Sequence, residues 1–255
     1  MAAIETFDNI RHINTGLTKK ERRRLRLAEN KKPNAGLEIR YINPKTENQC
    51  KAFDYYEDGL NLSLLGYPGT GKSFISLYLA LAEVEKNDSN SPNSVTIIRS
   101  VVPARDIGFL PGNEKEKSKV YEAPYVAICH ELYGRGDAYE ILKQKGIVKF
   151  ETTSFLRSVT MDNTIVIVDE CQNLNAGELH TVITRIGGGS KIIFCGDFAQ
   201  NDLIFKRGET SGLGSFQKIL DKMKSFARID FQAEDIVRSG LVKEYILTKA
   251  KLETE

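Results

Sequence analysis

Gly66-Tyr67-Pro68-Gly69-Thr70-Gly71-Lys72-Ser73 lies between one apolar run at 60–65 (LNLSLL) and a second at 74–84. The spacing is G-x-x-x-x-G-K-[ST], and each residue type in it has a physical task. Gly66, Gly69 and Gly71 let the backbone wrap close to a polyphosphate with amide N–H groups pointing inward, so that the loop, with Tyr67, Pro68 and Thr70 between the glycines, becomes an anion nest. Lys72 supplies a mobile positive charge for the outer phosphates. Ser73 places a hydroxyl for Mg²⁺ at the start of the next helix, where the helix dipole also favours anions. The run at 60–65 has the length of a buried strand, and the run at 74–84 that of a helix packed on a sheet. A glycine turn with an incidental lysine is the competing reading.

Short apolar runs recur downstream at 95–98 (VTII), 147–150, 164–168, 191–195 and 228–231. Helical patterns separate them, and the segment from Pro44 to Gly59 also begins helically. Strands alternating with helices predict an α/β domain with a mainly parallel sheet and helices on both faces. The stretch EKEKSK at 114–119 reads as a solvated helical face, and NDSNSPNS at 87–94 as a surface connector.

The run at 164–168 ends in Asp169 and Glu170, where a buried parallel strand delivers side chains to a ligand. Asp169 is placed to hold Mg²⁺ with Ser73, partly through water. Glu170 is placed to orient and deprotonate an attacking water. A third strand-to-turn element, IIFCGDFAQ at 192–200, suggests Gln200 as a γ-phosphate sensor, because a neutral amide can bond both a phosphate oxygen and a water. A turn in which Asp197 caps a helix is the alternative there.

Composition bounds the rest. At 255 residues, 41% hydrophobic and 27% charged, the chain suffices for one substantial α/β core with appendages. No run reaches membrane-spanning length, and the opening MAAIETFDNI lacks the blocks of a secretory signal, so a cytoplasmic location is expected. Cys50, Cys129, Cys171 and Cys195 are scattered, as are His12, His130 and His180. They read as reduced, structural residues and not as a metal site of the protein's own. The net charge of +2 is uneven: residues 19–32 hold eight basic residues against Glu21 and Glu29. Residues 1–36 therefore read as a basic arm or helix, with Thr18 and Glu21 as its capping box, and 37–255 as a single domain. The arm suits nucleic-acid phosphates or is a solvated tail.

In order, the loop, DExQ (Asp169, Glu170, Gln172) and GDxxQ (Gly196, Asp197, Gln200) resemble the nucleotide site of superfamily 1 helicases. The chain is closer still to the PhoH family, from Ile42 to about Val242. The likeness is carried by NPKTENQ at 43–49, GFLPG at 108–112, DECQN at 169–173, TRIGGGSK at 184–191, SGL at 211–213 and DIVR at 235–238. The basic start followed by PKTENQ is similar to short PhoH-like proteins of bacteriophages, which would place it in a bacterial host's cytoplasm. The resemblance implies a RecA-like P-loop ATPase using ATP and Mg²⁺. It also implies that Gln49 reads the adenine edge, with Tyr41 or Ile42 over the ring, although a surface glutamine on a helix is an alternative. The family's Thr-Arg-Pro after the second strand is Ile98, Arg99, Ser100 here, with Pro103 displaced. A second family arginine is Val159, though Arg157 remains. Arg99, Arg105 and Arg157 are thus nucleic-acid or salt-bridge candidates.

Phosphoryl transfer builds charge that an arginine commonly stabilises, and Arg238 is the candidate. It reaches its own nucleotide or a neighbour's; the second reading is favoured and implies a head-to-tail homo-oligomer, a hexameric ring by family likeness. A helix-end salt bridge is the bland alternative. The expected function is an ATP-driven, helicase-like or translocase-like machine on single-stranded RNA or DNA, RNA favoured. The competing function is an ATP-dependent assembly switch or scaffold that binds protein partners.

Overall fold

The computed structural model describes residues 37–87, 91–100, 114–153, 160–197 and 212–252. The basic arm, GFLPG, Arg105, Arg157 and Gln200 lie outside the described residues. Among those described, the chain runs α1 (Glu47–Glu57), β1 (Asn61–Gly66), α2 (Lys72–Glu85), β2 (Ser94–Arg99), α3 (Glu114–Tyr133), α4 (Ala138–Gln144) and β3 (Val148–Thr152). It continues through β4 (Thr164–Asp169), α5 (Ala176–Ile183), β5 (Lys191–Gly196), α6 (Leu213–Leu220), β6 (Phe226–Phe231) and α7 (Gly240–Leu252). The six expected strands are all present.

The sheet is parallel at every pairing, in the order β3-β2-β4-β5-β1-β6. Residue alternation along each central strand divides the apolar side chains between two layers. Ile165 and Ile167 of β4 and Ile193 and Cys195 of β5 face one core, shared with α1, α2, α3 and α4. Val166 and Val168, with Ile192 and Phe194, face the second, closed by Leu179 and Val182 of α5 and by Leu213, Phe216 and Leu220 of α6. Burial on both faces explains why these strands read as continuous apolar runs, each such side chain contributing about 1.5–3 kcal/mol. β6 is an edge strand, and its burial alternates instead. The result is the RecA-like P-loop NTPase fold.

This topology decides where the chemistry sits. Parallel strands deliver their C-terminal ends to one edge, so Gly66, Arg99, Asp169 and Gly196 converge there. The acidic strand β4 is not the neighbour of the loop strand β1; β5 lies between them. Arg99 stands directly opposite Asp169 in the β2–β4 register. Among the described residues, no helix is long and apolar enough to cross a membrane.

Candidate nucleotide site

The loop after β1 takes the conformation its glycines permit. Gly66, Gly69 and Gly71 all have positive φ, at 119°, 76° and 85°. Gly66 is also pressed against β6, where a Cβ would stand 2.1 Å from the Phe231 carbonyl oxygen. Neighbouring segments hold the loop: Tyr67 N–H donates to Phe231 O at 3.2 Å, and Val237 N–H donates to Gly69 O at 3.1 Å. Gly71, left-handed, precedes α2 and offers no side-chain cap, which leaves the first amides of the helix open to an anion. α2 therefore starts at Lys72, two residues before the apolar run.

Lys72 Nζ donates to the carbonyls of Gly66 at 2.8 Å and Tyr67 at 2.6 Å. Burial draws its pKa below the ordinary lysine value, against the opposing pull of Asp197, Cys195, Glu170 and Asp169. Ser73 Oγ donates to Asp169 Oδ1 at 2.8 Å, which joins two motifs 96 positions apart in the chain. The hydroxyl and carboxylate oxygens, beside an anion nest, are the hard donor set that Mg²⁺ takes.

Glu170 follows with φ 52°, a left-handed backbone rare for a non-glycine residue. Burial, and then the charge of Asp169, raise its pKa above the usual value, while Gln172, Arg99 and Lys72 pull it down. Gln172 is 1% exposed. Its Nε2 donates to Glu170 Oε2 at 2.6 Å, and its Oε1 accepts the Asp197 N–H at 3.0 Å. One amide thus ties the acidic turn to the end of β5. Arg99 approaches Glu170 Oε1 at 3.8 Å, which sets it beside the catalytic carboxylate candidate.

Gln49 is buried at 4% exposure on α1, not a surface residue. Its Nε2 donates to Thr70 O at 2.9 Å, and its Oε1 accepts the Lys45 N–H at 2.8 Å. These two bonds fix which end of the amide is which, and each end retains capacity for one more partner. Of the two candidates for covering a base, Ile42 lines the cavity and Tyr41 is 78% exposed. The cavity measures about 590 Å³, and Gln49, Lys72, Ser73, Asp169, Glu170 and Arg238 all border it. That is the size of an ordinary small-ligand site.

Arg238 lies in the same cavity as its own chain's loop. Its Cγ would stand 2.9 Å from a Cβ placed on Gly69, so the stem packs over that glycine. Of the two sequence readings, reaching the chain's own nucleotide is the one this packing favours.

Sequence reasoning missed one residue at the site. Tyr125, on α3, donates its hydroxyl to Asp169 Oδ2 at 2.7 Å. Burial, then the Asp169 charge, hold its pKa well above the usual phenol value, so it stays a donor. No motif announces it, because α3 meets β4 only through the fold.

A family model described as PhoH-like protein matches residues 41–249. A PhoH-like protein of Bacillus subtilis is 32% identical over 183 residues, 71% of this chain and 56% of that protein. Protein PhoH of Escherichia coli is 32% identical over 178 residues, 69% of this chain and 49% of its own length. The chain spans about half the length of these relatives. Among solved structures, the helicase domain of Pyrococcus furiosus Hef is similar at a TM-score of 0.43 and 10% identity, covering 76% of this chain and 39% of that one. With a match that runs across most of its length, over the stretch that contains the loop, both acids and DIVR, the chain belongs to the PhoH-like family.

Proposed function

We propose that the chain is a Mg²⁺-dependent ATPase whose turnover is coupled to single-stranded nucleic acid, RNA favoured. The observation that carries the hydrolytic part is the Ser73–Asp169 hydrogen bond, which brings the loop and the acidic strand end into one site. Loop amides and Lys72 bind the phosphates, Lys72 exchanging its carbonyl partners for phosphate oxygens. Ser73 and Asp169 hold Mg²⁺, which when bound neutralises phosphate charge. Glu170, kept in place by Gln172, takes the proton from the attacking water, and its raised pKa makes it the stronger base. Arg238 meets the charge that builds on the outer phosphate, within its own chain. Gln49 anchors the loop through its Nε2 bond to Thr70 O, is itself held by the Lys45 N–H at Oε1, and offers its remaining donor and acceptor to the adenine edge.

Coupling to nucleic acid is supported by the basic stretch at 19–32 and by the likeness to helicase-type motifs. Assembly into a ring rests on family likeness alone, since Arg238 is already housed by its own loop. The test is ATP turnover with and without defined RNA and DNA strands, alongside light scattering in ATP. Turnover should rise several-fold with a strand, the rise should fade with salt, and the particle should exceed one subunit. Flat turnover across all strands, with ATP-dependent assembly intact, would replace the motor by the assembly switch. Hydrolysis at the parent rate in Lys72→Ala would remove the assignment of turnover to this site and the roles given to its residues.

A further inference from the structure

Asp169 ends β4 with a carboxylate gripped on both oxygens, Oδ1 by Ser73 and Oδ2 by Tyr125. A metal-binding carboxylate held through one oxygen keeps the slack of that single hydrogen bond; one held at both is set more narrowly to one orientation. We propose that Tyr125 is a positioning residue that fixes Asp169 for the divalent cation, acting from α3. This rests on the nucleotide-site reading above and adds to it an element that carries none of the recognised motifs.

The hydroxyl of Tyr125, and not its ring, is what holds Asp169. Tyr125 is 1% exposed, and its ring packs against Phe150 with centroids 5.9 Å apart. A phenylalanine would fill that volume equally. Burying a hydroxyl is unfavourable without a partner, so its presence is explained by the partner it has, Asp169. The surroundings extend the device. Arg99 stands opposite Asp169 in register and approaches Glu170 at 3.8 Å. The two acids therefore have separate partners, Ser73 and Tyr125 for Asp169, Gln172 and Arg99 for Glu170. α3 delivers Tyr125 one residue after Pro124, which borders the cavity.

The test uses Tyr125→Phe, with Tyr139→Phe as its comparator, since Tyr139 also buries a hydroxyl on a carboxylate, donating to Glu122 Oε2 at 2.8 Å away from the nucleotide cavity. Binding of Mn²⁺ is followed by electron paramagnetic resonance on the full chain with ADP present, and thermal unfolding is recorded for each protein. Tyr125→Phe should weaken Mn²⁺ binding by about 10-fold, while Tyr139→Phe leaves it at the parent value. Turnover of Tyr125→Phe should recover towards the parent rate as Mg²⁺ is raised to saturation. Equal Mn²⁺ affinity in Tyr125→Phe and parent, or the same loss in both variants, would overturn the proposal. A parent that takes up no Mn²⁺ with ADP would instead bring down the nucleotide-site reading, and this inference with it.

Discussion

Glu170 holds a left-handed backbone that costs a non-glycine residue about 1–3 kcal/mol, retained only because its neighbours over-determine it. The Gln172 amide is one of those constraints, bonding both the carboxylate and the Asp197 N–H. Gln172→Leu should lower turnover by about 10–100-fold, by letting the base drift from the attacking water, with ATP binding retained. The pH profile gives the sign independently. Turnover needs the unprotonated carboxylate, present above its pKa and lost as pH falls through it; Gln172 is among the influences lowering that pKa. Its loss raises the pKa further, so the acid limb of kcat/KM against pH should move to higher pH. The loop and both acids were legible in the sequence because each motif is contiguous and its residue types are dictated by phosphate and metal chemistry. Gln172's bridge and Tyr125's hydroxyl were not, since a partner on another strand or helix leaves no spacing to read.

Elements were legible to the extent that burial is uniform. Central strands announced themselves as apolar runs, whereas β6 begins at Phe226, ahead of the expected 228–231, because an edge strand alternates and its first turn of residues looks mixed. The turn after β6 shows how an element is aimed. Asn48 of α1 donates to Asp235 Oδ2 at 2.7 Å, and Gln232 N–H donates to the same oxygen at 2.8 Å. Burial works to raise Asp235's pKa, but the bonds from Thr46, Asn48 and Gln232 outweigh it and hold the carboxyl below its ordinary value. A depressed pKa contributes stability above the unfolded-state value and loses it as pH falls through the folded-state one. Asn48→Ala should therefore destabilise by about 1–3 kcal/mol at neutral pH, and the gap from the parent should narrow in acid, checked by denaturant unfolding between neutral pH and the point where Asp235 protonates. The same variant should weaken ATP binding, because this turn sets Val237 and Arg238 against the loop.

At the scale of the molecule, the question is whether one chain completes one site. Arg238 packed over Gly69 of its own loop predicts that it does. Arg238→Ala should lower turnover by roughly 10³-fold. Mixing Arg238→Ala with Lys72→Ala subunits should restore nothing, whereas recovery on mixing would mean that the arginine serves a neighbour. The sequence left both routes open, since DIVR reads alike in either case; only the path of the chain after β6 separates them. That path continues into α7, whose Ile246 Cδ1 would lie 3.6 Å from a Cβ on Gly69. The final described helix, 13 residues or about 20 Å long, thus rests its side on the phosphate grip. A methyl group at position 69 would therefore meet the Arg238 stem and the flank of this helix at once, so the tightness of the phosphate grip and the seating of the last described helix depend on the same missing side chain.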